Sequence, residues 1–252
     1  MGTRTGSAAA DSILSQSTRD TLFGGSVVLI QPRRGAGYRT NVDALLLAAF
    51  AAQSRPNPTP AAYDLGAGVG AVGLALLRLG SARRVVFVEV HEPAATMAQC
   101  NLDANGWTER GEVLRADVRE VGRARAGAAA LIVCNPPYLS PGRGRVSPSQ
   151  AHARIGKLVD FVKAARQLAG RRARACFIYP AQELATLLST LADEGLHPKR
   201  LRLVHATPEA PARVALVEGV AGRAGGLVAM PPLVERAAHG YTPEMRALLH
   251  IG

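Results

Sequence analysis

Short apolar runs alternate with amphipathic segments along the middle of the chain. Apolar runs at residues 61–65 and 84–90 predict strands, and the helical periodicity at 72–79 and 94–105 predicts a helix after each. The series continues with predicted strands at 112–115, 129–134 and 173–179 and predicted helices at 158–168 and 182–191. This alternation is typical of βαβ units built on a parallel sheet. The pattern therefore predicts an α/β protein with a Rossmann-like sheet.

The last two long strands break the alternation. Predicted strands at 200–205 and 213–220 are separated by a short connection with no room for a helix. A short connection joins antiparallel strands, whereas parallel strands need a long crossover. We therefore predict one antiparallel edge strand, followed by a last helix after Thr242-Pro243.

The N-terminal 60 residues carry a different pattern. Residues 1–20 are rich in Ser, Thr, Ala and Gly without a clear period and predict a flexible arm. A β-branched run at 27–31, followed by the turn residues 35–37 before Tyr38 and Arg39, predicts a hairpin, and Asn41 can cap the helix that follows. We expect three parts, which are an arm at 1–20, a hairpin and helix at 21–60 packed on the main domain, and an α/β domain at 61–252.

A glycine-rich turn follows the first βαβ strand. The sequence Asp64-Leu65-Gly66-Ala67-Gly68-Val69-Gly70 lets a ligand approach the backbone, and the next helix begins with oriented amide groups. The glycines at 68, 70 and 73 also fit the dinucleotide pattern G-x-G-x-x-G, so a nicotinamide or flavin enzyme stays open. Asp64 favours a ligand with a sulfonium and an ammonium group over a pyrophosphate. The turn therefore favours S-adenosylmethionine (SAM) as cofactor.

Two further acids stand at predicted strand ends. Glu89 lies about 20 residues beyond the glycine turn, where an α/β sheet places a carboxylate that accepts from ribose hydroxyls. Asp117 follows the third strand and can accept from an adenine amino group, although an Asp there also serves as a cap. The glycine-rich turn, Glu89 and Asp117, in this order along the chain, predict cofactor binding better than either acid alone.

The tetrapeptide Asn135-Pro136-Pro137-Tyr138 follows the apolar strand at 129–134. Ligands of an open parallel sheet bind outside such strand ends. The Asn135 amide oxygen and the Pro136 carbonyl can both accept from one NH2 group, which aims its lone pair at a methyl carbon, and Tyr138 offers a face for a planar substrate. We predict Asn135, Pro136 and Tyr138 as catalytic residues, with Asn135 also next to the cofactor.

Charge extends this interpretation to the substrate. The formal net charge of +11 favours a polyanion such as RNA, although an arginine-rich composition also arises from GC-rich coding sequence. The densest basic clusters are 33–34, 143–145, 171–174 and 199–202, and the second flanks the tetrapeptide.

The remaining composition narrows the class of protein. The three cysteines lack metal-ligand spacing, so we expect no zinc site and no disulfide framework. No apolar run reaches the roughly 20 residues of a membrane span, and no secretory signal is recognised, which predicts a cytoplasmic protein.

The ordered motifs resemble the SAM-dependent amino methyltransferases with the N-P-P-Y signature. The segment at 37–48 and the closing Gly240-Tyr241-Thr242-Pro243-Glu244 further resemble bacterial tRNA adenine-N6-methyltransferases that modify a valine tRNA beside its anticodon. The resemblance runs from about residue 22 to the end.

What this resemblance implies is a seven-stranded class I sheet with SAM in its cleft. It implies roles at the positions that match the family motifs, which are Asp64, Gly66, Gly68 and Gly70 around the methionyl part, Glu89 at the ribose, Asp117 at the adenine and residues 135–138 at the target amine. It also implies that residues 40–43 cover the methionyl end. The sequence departs from the family at His91, often acidic there, and in the basic stretch 140–145.

Three alternatives stay open. Glutamine N5-methyltransferases of release factors carry the same tetrapeptide, but they resemble a chain with a longer helical N-terminal domain. An NAD(P)-dependent oxidoreductase would not need Asn135. A non-catalytic RNA-binding module that keeps SAM as a structural ligand would retain RNA affinity and have no activity to lose on Asn135→Ala.

Overall fold

A mixed sheet between two helical layers forms the centre of the molecule. The structure is a computed structural model that describes residues 13–36, 39–53, 57–136, 148–222 and 224–250, with the backbone alone for 148–157. In chain order the elements are β1 (Ser17–Leu22), β2 (Val27–Pro32), α1 (Asp43–Ala52), β3 (Thr59–Leu65), α2 (Ala71–Arg78), β4 (Ala82–Glu89), α3 (Glu92–Ala104), β5 (Gly111–Arg115), α4 (Val118–Ala124), β6 (Ala129–Cys134), α5 (Pro148–Leu168), β7 (Ala169–Pro180), α6 (Leu184–Asp193), β8 (Leu196–His205), β9 (Ala212–Ala221), β10 (Val228–Ala229), β11 (Leu233–Val234), β12 (Arg236–Ala237), β13 (Gly240–Tyr241) and α7 (Pro243–Leu249).

The strand order is that of a doubly wound sheet. Within the described residues, seven long strands lie in the order β5-β4-β3-β6-β7-β9-β8, and the two-residue strands β10 and β11 pair with β8. Strands β3 to β7 are all parallel to one another. The predicted α/β class and seven-stranded sheet are confirmed.

The antiparallel strand does not lie at the edge that we predicted. Strand β9 pairs antiparallel with both β7 and β8 and is therefore an interior strand of the sheet. The connection through α6 places β8 two positions away from β7. The short turn after β8 then brings β9 back, antiparallel, into the position between β7 and β8. Such a skip is not visible in a linear pattern of apolar runs.

The N-terminal hairpin also differs from the prediction. Strand β2 pairs backward with β1, and Arg39, which we predicted in the partner strand, lies in no strand. Tyr38 lies outside the described residues. The connecting turn uses Gly24 and Gly25 at φ +60° and +96°, a region that glycine adopts without strain. This Gly-Gly pair just before the β-branched run at 27–31 was the signal for the correct hairpin.

The prediction of a flexible arm over residues 1–20 is wrong for residues 17–20, because these residues belong to β1, which begins at Ser17. The Asp20 carboxylate accepts hydrogen bonds from Gln31 Nε2 at 2.9 Å and from Arg39 Nη2 at 2.8 Å. Polar side chains thus attach this strand to the molecule, and an apolar period cannot reveal such contacts. Residues 1–12 lie outside the described residues.

Two apolar cores lie on opposite faces of the sheet. One core joins α1, α2 and α3 with the N-terminal hairpin and with Met245 of α7. The other joins α4, α5 and α6, with Leu158, Val162 and Leu187 fully buried. The N-terminal hairpin and α1 therefore share a core with the α/β domain, and this core borders the carboxyl ends of the strands. Among the described residues, no helix combines the length and apolarity that crossing a membrane would need.

Candidate active site

A cavity of about 940 Å³ lies at the carboxyl ends of β3, β4, β5 and β6. Ligand pockets commonly measure about 300 to 1,000 Å³, so this one has room for a nucleoside-sized cofactor and part of a second molecule. Six of the predicted site residues line it, which are Gly66, Gly68, Glu89, Asp117, Asn135 and Pro136. The sheet thus brings together residues that are up to 70 positions apart in the chain.

The glycine turn presents open backbone to this cavity. Gly68 has φ +57°, and a Cβ added there would meet no atom within 4 Å. Gly70 does not line the cavity, because the Phe87 ring lies 3.1 Å from where its Cβ would be. Gly73 likewise has no room for a Cβ against Phe87. Gly68 is therefore open to a ligand, whereas Gly70 at the end of the turn and Gly73 in α2 allow α2 to pack on β4.

Asp64 lies behind the glycine turn and does not line the cavity, contrary to its predicted place beside the cofactor. Its side chain is 1% exposed, and Oδ2 accepts from the backbone N–H of Gly73 at 2.9 Å. Side chains of a strand alternate between its faces, and at this position the side chain points beneath the first turn of α2. Asp64 holds the turn that forms the site.

Burial raises the pKa of Asp64 from 3.8 to about 7, with a further rise from the charge of Glu89 against the opposing hydrogen bond from Gly73. Because the folded-state pKa is the higher one, the stability from proton binding is complete below pH 4 and is lost as the pH rises through about 7. Asp64→Asn keeps the acceptor for Gly73 without the charge. We expect wild type to lose about 2 to 3 kcal/mol relative to this variant between pH 5 and 8.

Urea unfolding of both proteins at four pH values between 5 and 8 measures this difference. Asp20→Asn is the matched control, because the hydrogen bond from Gln31 lowers the pKa of Asp20 and its contribution is lost only as the pH falls toward strong acid. Parallel pH profiles for wild type and Asp64→Asn would show that Asp64 is ionised throughout this range.

Glu89 connects the glycine turn to the start of α3. Its Oε2 accepts from the Gly68 N–H and its Oε1 from the His91 N–H, both at 2.8 Å. Each carboxylate oxygen has a second lone pair that remains open to a hydroxyl donor. Glu89 is therefore held rigidly at the wall of the cavity.

Asp117 caps α4 at the opposite side of the same wall. Its Oδ1 accepts from the Arg119 N–H at 2.8 Å, and the Arg119 guanidinium donates to Oδ1 at 3.0 Å and to Oδ2 at 2.6 Å. The hydrogen bond from the Arg119 side chain lowers the pKa of Asp117, so this carboxylate is ionised at neutral pH. Asp117 is thus the helix cap that the sequence allowed as an alternative to a ligand role. It also lines the cavity.

Asn135 and Pro136 follow β6 directly and line the cavity. Strand β6 pairs with β3, and Cys134 lies opposite Leu65, the residue before the glycine turn. The first half of the tetrapeptide is therefore adjacent to the turn, as predicted. Pro137 and Tyr138 lie outside the described residues.

Sequence reasoning missed several lining residues, of which Phe161 and Arg119 matter most for the shape and charge of the site. Phe161 of α5 packs against the turn, since a Cβ on Gly66 would lie 2.9 Å from the Phe161 ring. No pattern in the sequence around Phe161 predicts this contact. Arg119 also lines the cavity, and its position two residues after Asp117 was a usable signal for an ion pair. The described residues contain no His, Cys, Asp and Glu grouping fit to hold a metal ion.

Part of the basic charge is committed to ion pairs inside the protein. Glu218 is fully buried and pairs with Arg174 at 2.5 Å and with Arg200 at 3.0 Å. Arg202 pairs with Glu244 at 2.7 Å. The clusters at 171–174 and 199–202 thus contain arginines that support the sheet.

The other two clusters, 33–34 and 143–145, are close in sequence to residues that line the cavity. Arg33 and Arg34 are exposed in the turn after β2, between Pro32 and Ala36, which both line the cavity. The stretch that contains Arg143 and Arg145 lies outside the described residues. An exposed basic pair at the cavity rim suits a polyanionic substrate.

Comparisons with known proteins agree with this geometry. The family model of the methyltransferase small domain matches residues 40–156. A tRNA1(Val) (adenine(37)-N6)-methyltransferase of Shewanella halifaxensis is 29% identical over 216 residues, covering 84% of this chain and 82% of that protein. A protein of the same name from Erwinia tasmaniensis is 32% identical over 163 residues, covering 63% of this chain and 65% of its own length, just under two thirds.

Solved structures share the fold. A predicted O-methyltransferase from Agrobacterium tumefaciens superposes with a TM-score of 0.66 at 24% identity, over 83% of this chain and 97% of that one. TYW2 from M. jannaschii, solved in complex with AdoMet, superposes with a TM-score of 0.55 at 14% identity, over 81% of this chain and 85% of that one. Nothing in these likenesses favours a nicotinamide enzyme.

Proposed function

Because this chain belongs to the SAM-dependent methyltransferases, we propose that it transfers a methyl group to the exocyclic N6 amine of an adenine in RNA, with a tRNA as the substrate. The observation that carries the proposal is that Asn135 and Pro136 line the same cavity as the open backbone of Gly68. An amine held by Asn135 and Pro136 would therefore lie next to a ligand held by the backbone of Gly68. The relatives named for adenine-N6 methylation of a tRNA support the choice of amine and substrate.

The cavity residues fit the cofactor chemically. Gly68 offers backbone with no obstructing Cβ, and Glu89 provides a fixed, negatively charged acceptor for hydroxyl groups. Asp117 is an ionised acceptor at the same wall, and Val118 and Met97 provide apolar surface beside it. We assign Gly66 and Gly68 to the methionyl part, Glu89 to the ribose and Asp117 to the adenine, with Asp64 and Gly70 acting through the shape of the turn.

When bound, SAM supplies an electrophilic methyl group on a positively charged sulfur. The Asn135 amide oxygen and the Pro136 carbonyl accept the two hydrogens of the target amine and turn its lone pair toward that carbon. Held by Gly66, Gly68, Glu89 and Asp117, SAM would supply the methyl group, and the target nitrogen would give up one proton to water. The residues contribute alignment and hydrogen bonds that strengthen as charge builds on nitrogen.

A substrate base must leave its stack to reach Asn135. A single-stranded loop lowers that free energy, which favours a tRNA loop over a duplex. Tyr138 is proposed to stack on the extruded base, and Arg33 and Arg34 to contact the phosphates at the cavity rim. Arg143 and Arg145 are proposed for the same purpose.

The test is incubation of the protein with labelled SAM and separate pools of tRNA, ribosomal RNA and protein extract, followed by nucleoside mass spectrometry. We expect label in tRNA, as N6-methyladenosine. Label in protein alone would contradict the RNA proposal and favour the glutamine N5 reaction. Label in ribosomal RNA alone would keep the reaction and contradict the tRNA substrate.

A further inference from the structure

One wall of the cavity is built by the segment that connects the N-terminal hairpin to α1. Thr40, Asn41 and Ala44 of this segment, residues 39–44, line the cavity. We call it the wall segment. On the hairpin side, the Thr40 N–H donates to Oε1 of the buried Gln31 at 2.9 Å.

An ion cluster around the buried Asp43 holds the other end of the wall segment. Asp43 is 1% exposed, and its Oδ1 lies 2.6 Å from Nη1 of Arg213 on β9. The other nitrogen, Nη2, lies 2.6 Å from Oε1 of Glu235 in the C-terminal segment. One guanidinium thus ties α1 to an element nearly 200 residues further along the chain.

The cluster extends to the cavity through Asn41. Its Nδ2 donates to Asp43 Oδ2 at 2.9 Å, and its Oδ1 accepts from the Asp43 N–H at 3.0 Å. Both ends of the Asn41 carboxamide are therefore fixed by the residue that Arg213 holds. Arg213 itself does not line the cavity.

A buried carboxylate is tolerated where a cation compensates for its lost hydration. Without the guanidinium, the buried carboxylate of Asp43 would lose the cation that compensates for its lost hydration. Movement of the first turn of α1 toward water is the simplest relief, and Asn41 moves with it. The position of the wall segment therefore depends on Arg213.

Displacement of the wall segment affects the cofactor side of the cavity. Helix α1 packs against α2, which begins directly after the glycine turn. Ala44 at the start of α1 and Ala71 and Val72 at the start of α2 line the same cavity. A shift of α1 thus changes the space next to Gly68.

We propose that Arg213 is a positioning residue that sets cofactor affinity by holding the wall segment against the glycine turn. This inference rests on the proposed function only in taking the cavity as the SAM site. It assigns Arg213 no contact with cofactor or substrate.

The test compares Arg213→Met in the full chain with wild type by calorimetric titration of S-adenosylhomocysteine and by steady-state kinetics. We expect the Kd and the KM for SAM to rise at least about tenfold, while kcat at saturating SAM stays within about threefold, since the amine-binding residues are untouched. Arg213→Lys keeps the charge and is expected to recover part of the affinity. Arg202→Met is the matched control, because it removes another ion pair to the C-terminal region, that with Glu244, away from the wall segment.

A wild-type Kd in Arg213→Met would overturn the proposal, as would an equal loss of affinity in Arg202→Met. If Arg213→Met does not fold, the double variant Asp43→Asn with Arg213→Met removes the buried charge but still lacks the tie. A raised Kd in the double variant supports the proposal, and an unchanged one contradicts it. Titrations contain no RNA, so normal cofactor binding without methylated adenosine would refute the substrate assignment and leave this inference intact.

Discussion

Asn135→Ala is expected to lower kcat for RNA methylation by about 100- to 1,000-fold, the usual effect of removing one aligned hydrogen-bonding group from a charge-developing transition state. The Kd for SAM should stay within about threefold, because Glu89 and the glycine turn are unchanged. The physical reason is that the amine loses one of two acceptors and no longer presents its lone pair. Single-turnover kinetics with saturating RNA, together with calorimetric titration of SAM, measure the two quantities.

Asn135→Asp is the matched variant, since it keeps an acceptor oxygen at nearly the same place. We expect it to retain more activity than Asn135→Ala at the same RNA concentration. An Asn135→Ala protein with wild-type kcat would contradict the catalytic assignment. If neither wild type nor Asn135→Ala methylates RNA, and both bind RNA with the same affinity, the result would favour a non-catalytic RNA-binding module.

The fold could be predicted because its signal is local. Each βαβ unit carries its own apolar strand and amphipathic helix, and the predicted strand at 61–65 and helix at 72–79 match β3 and α2 within two residues. The inner position of β9 could not be predicted, because strand order depends on which gap the chain fills after α6. The pairing of β1 with β2 depends on the turn at Gly24 and Gly25, whereas we predicted the hairpin turn at residues 35–37.

The candidate site was predictable to the extent that it depends on strand ends. Glu89 and Asn135 end parallel strands, and all such ends meet at one edge of the sheet. Asp64 also lies near a strand end, but the strand alternation points it beneath α2, and the motif alone does not encode that direction. The tie between Asp43 and Arg213 joins distant segments with unremarkable local sequence, so only a three-dimensional structure reveals it.

The second large effect is expected at Glu89. Glu89→Ala should raise the Kd for SAM about 100-fold, since hydrogen bonds to a charged group contribute about 1.5 to 3 kcal/mol each and 1.4 kcal/mol corresponds to a factor of ten. Glu92→Ala is the control, because it removes a nearby exposed carboxylate that pairs with Arg115 at 2.7 Å. Its Kd should equal that of wild type.

Two physical causes can produce the loss at Glu89, and a ligand pair separates them. The carboxylate holds the Gly68 N–H, so its removal loosens the glycine turn, and we also propose that it accepts from the ribose. If it contacts the ribose, wild type should bind S-adenosylhomocysteine about tenfold more tightly than its 2′-deoxy analogue, and Glu89→Ala should bind both alike. Equal discrimination by the two proteins would mean that Glu89 acts through the turn alone, because the hydroxyl would then be recognised by another group.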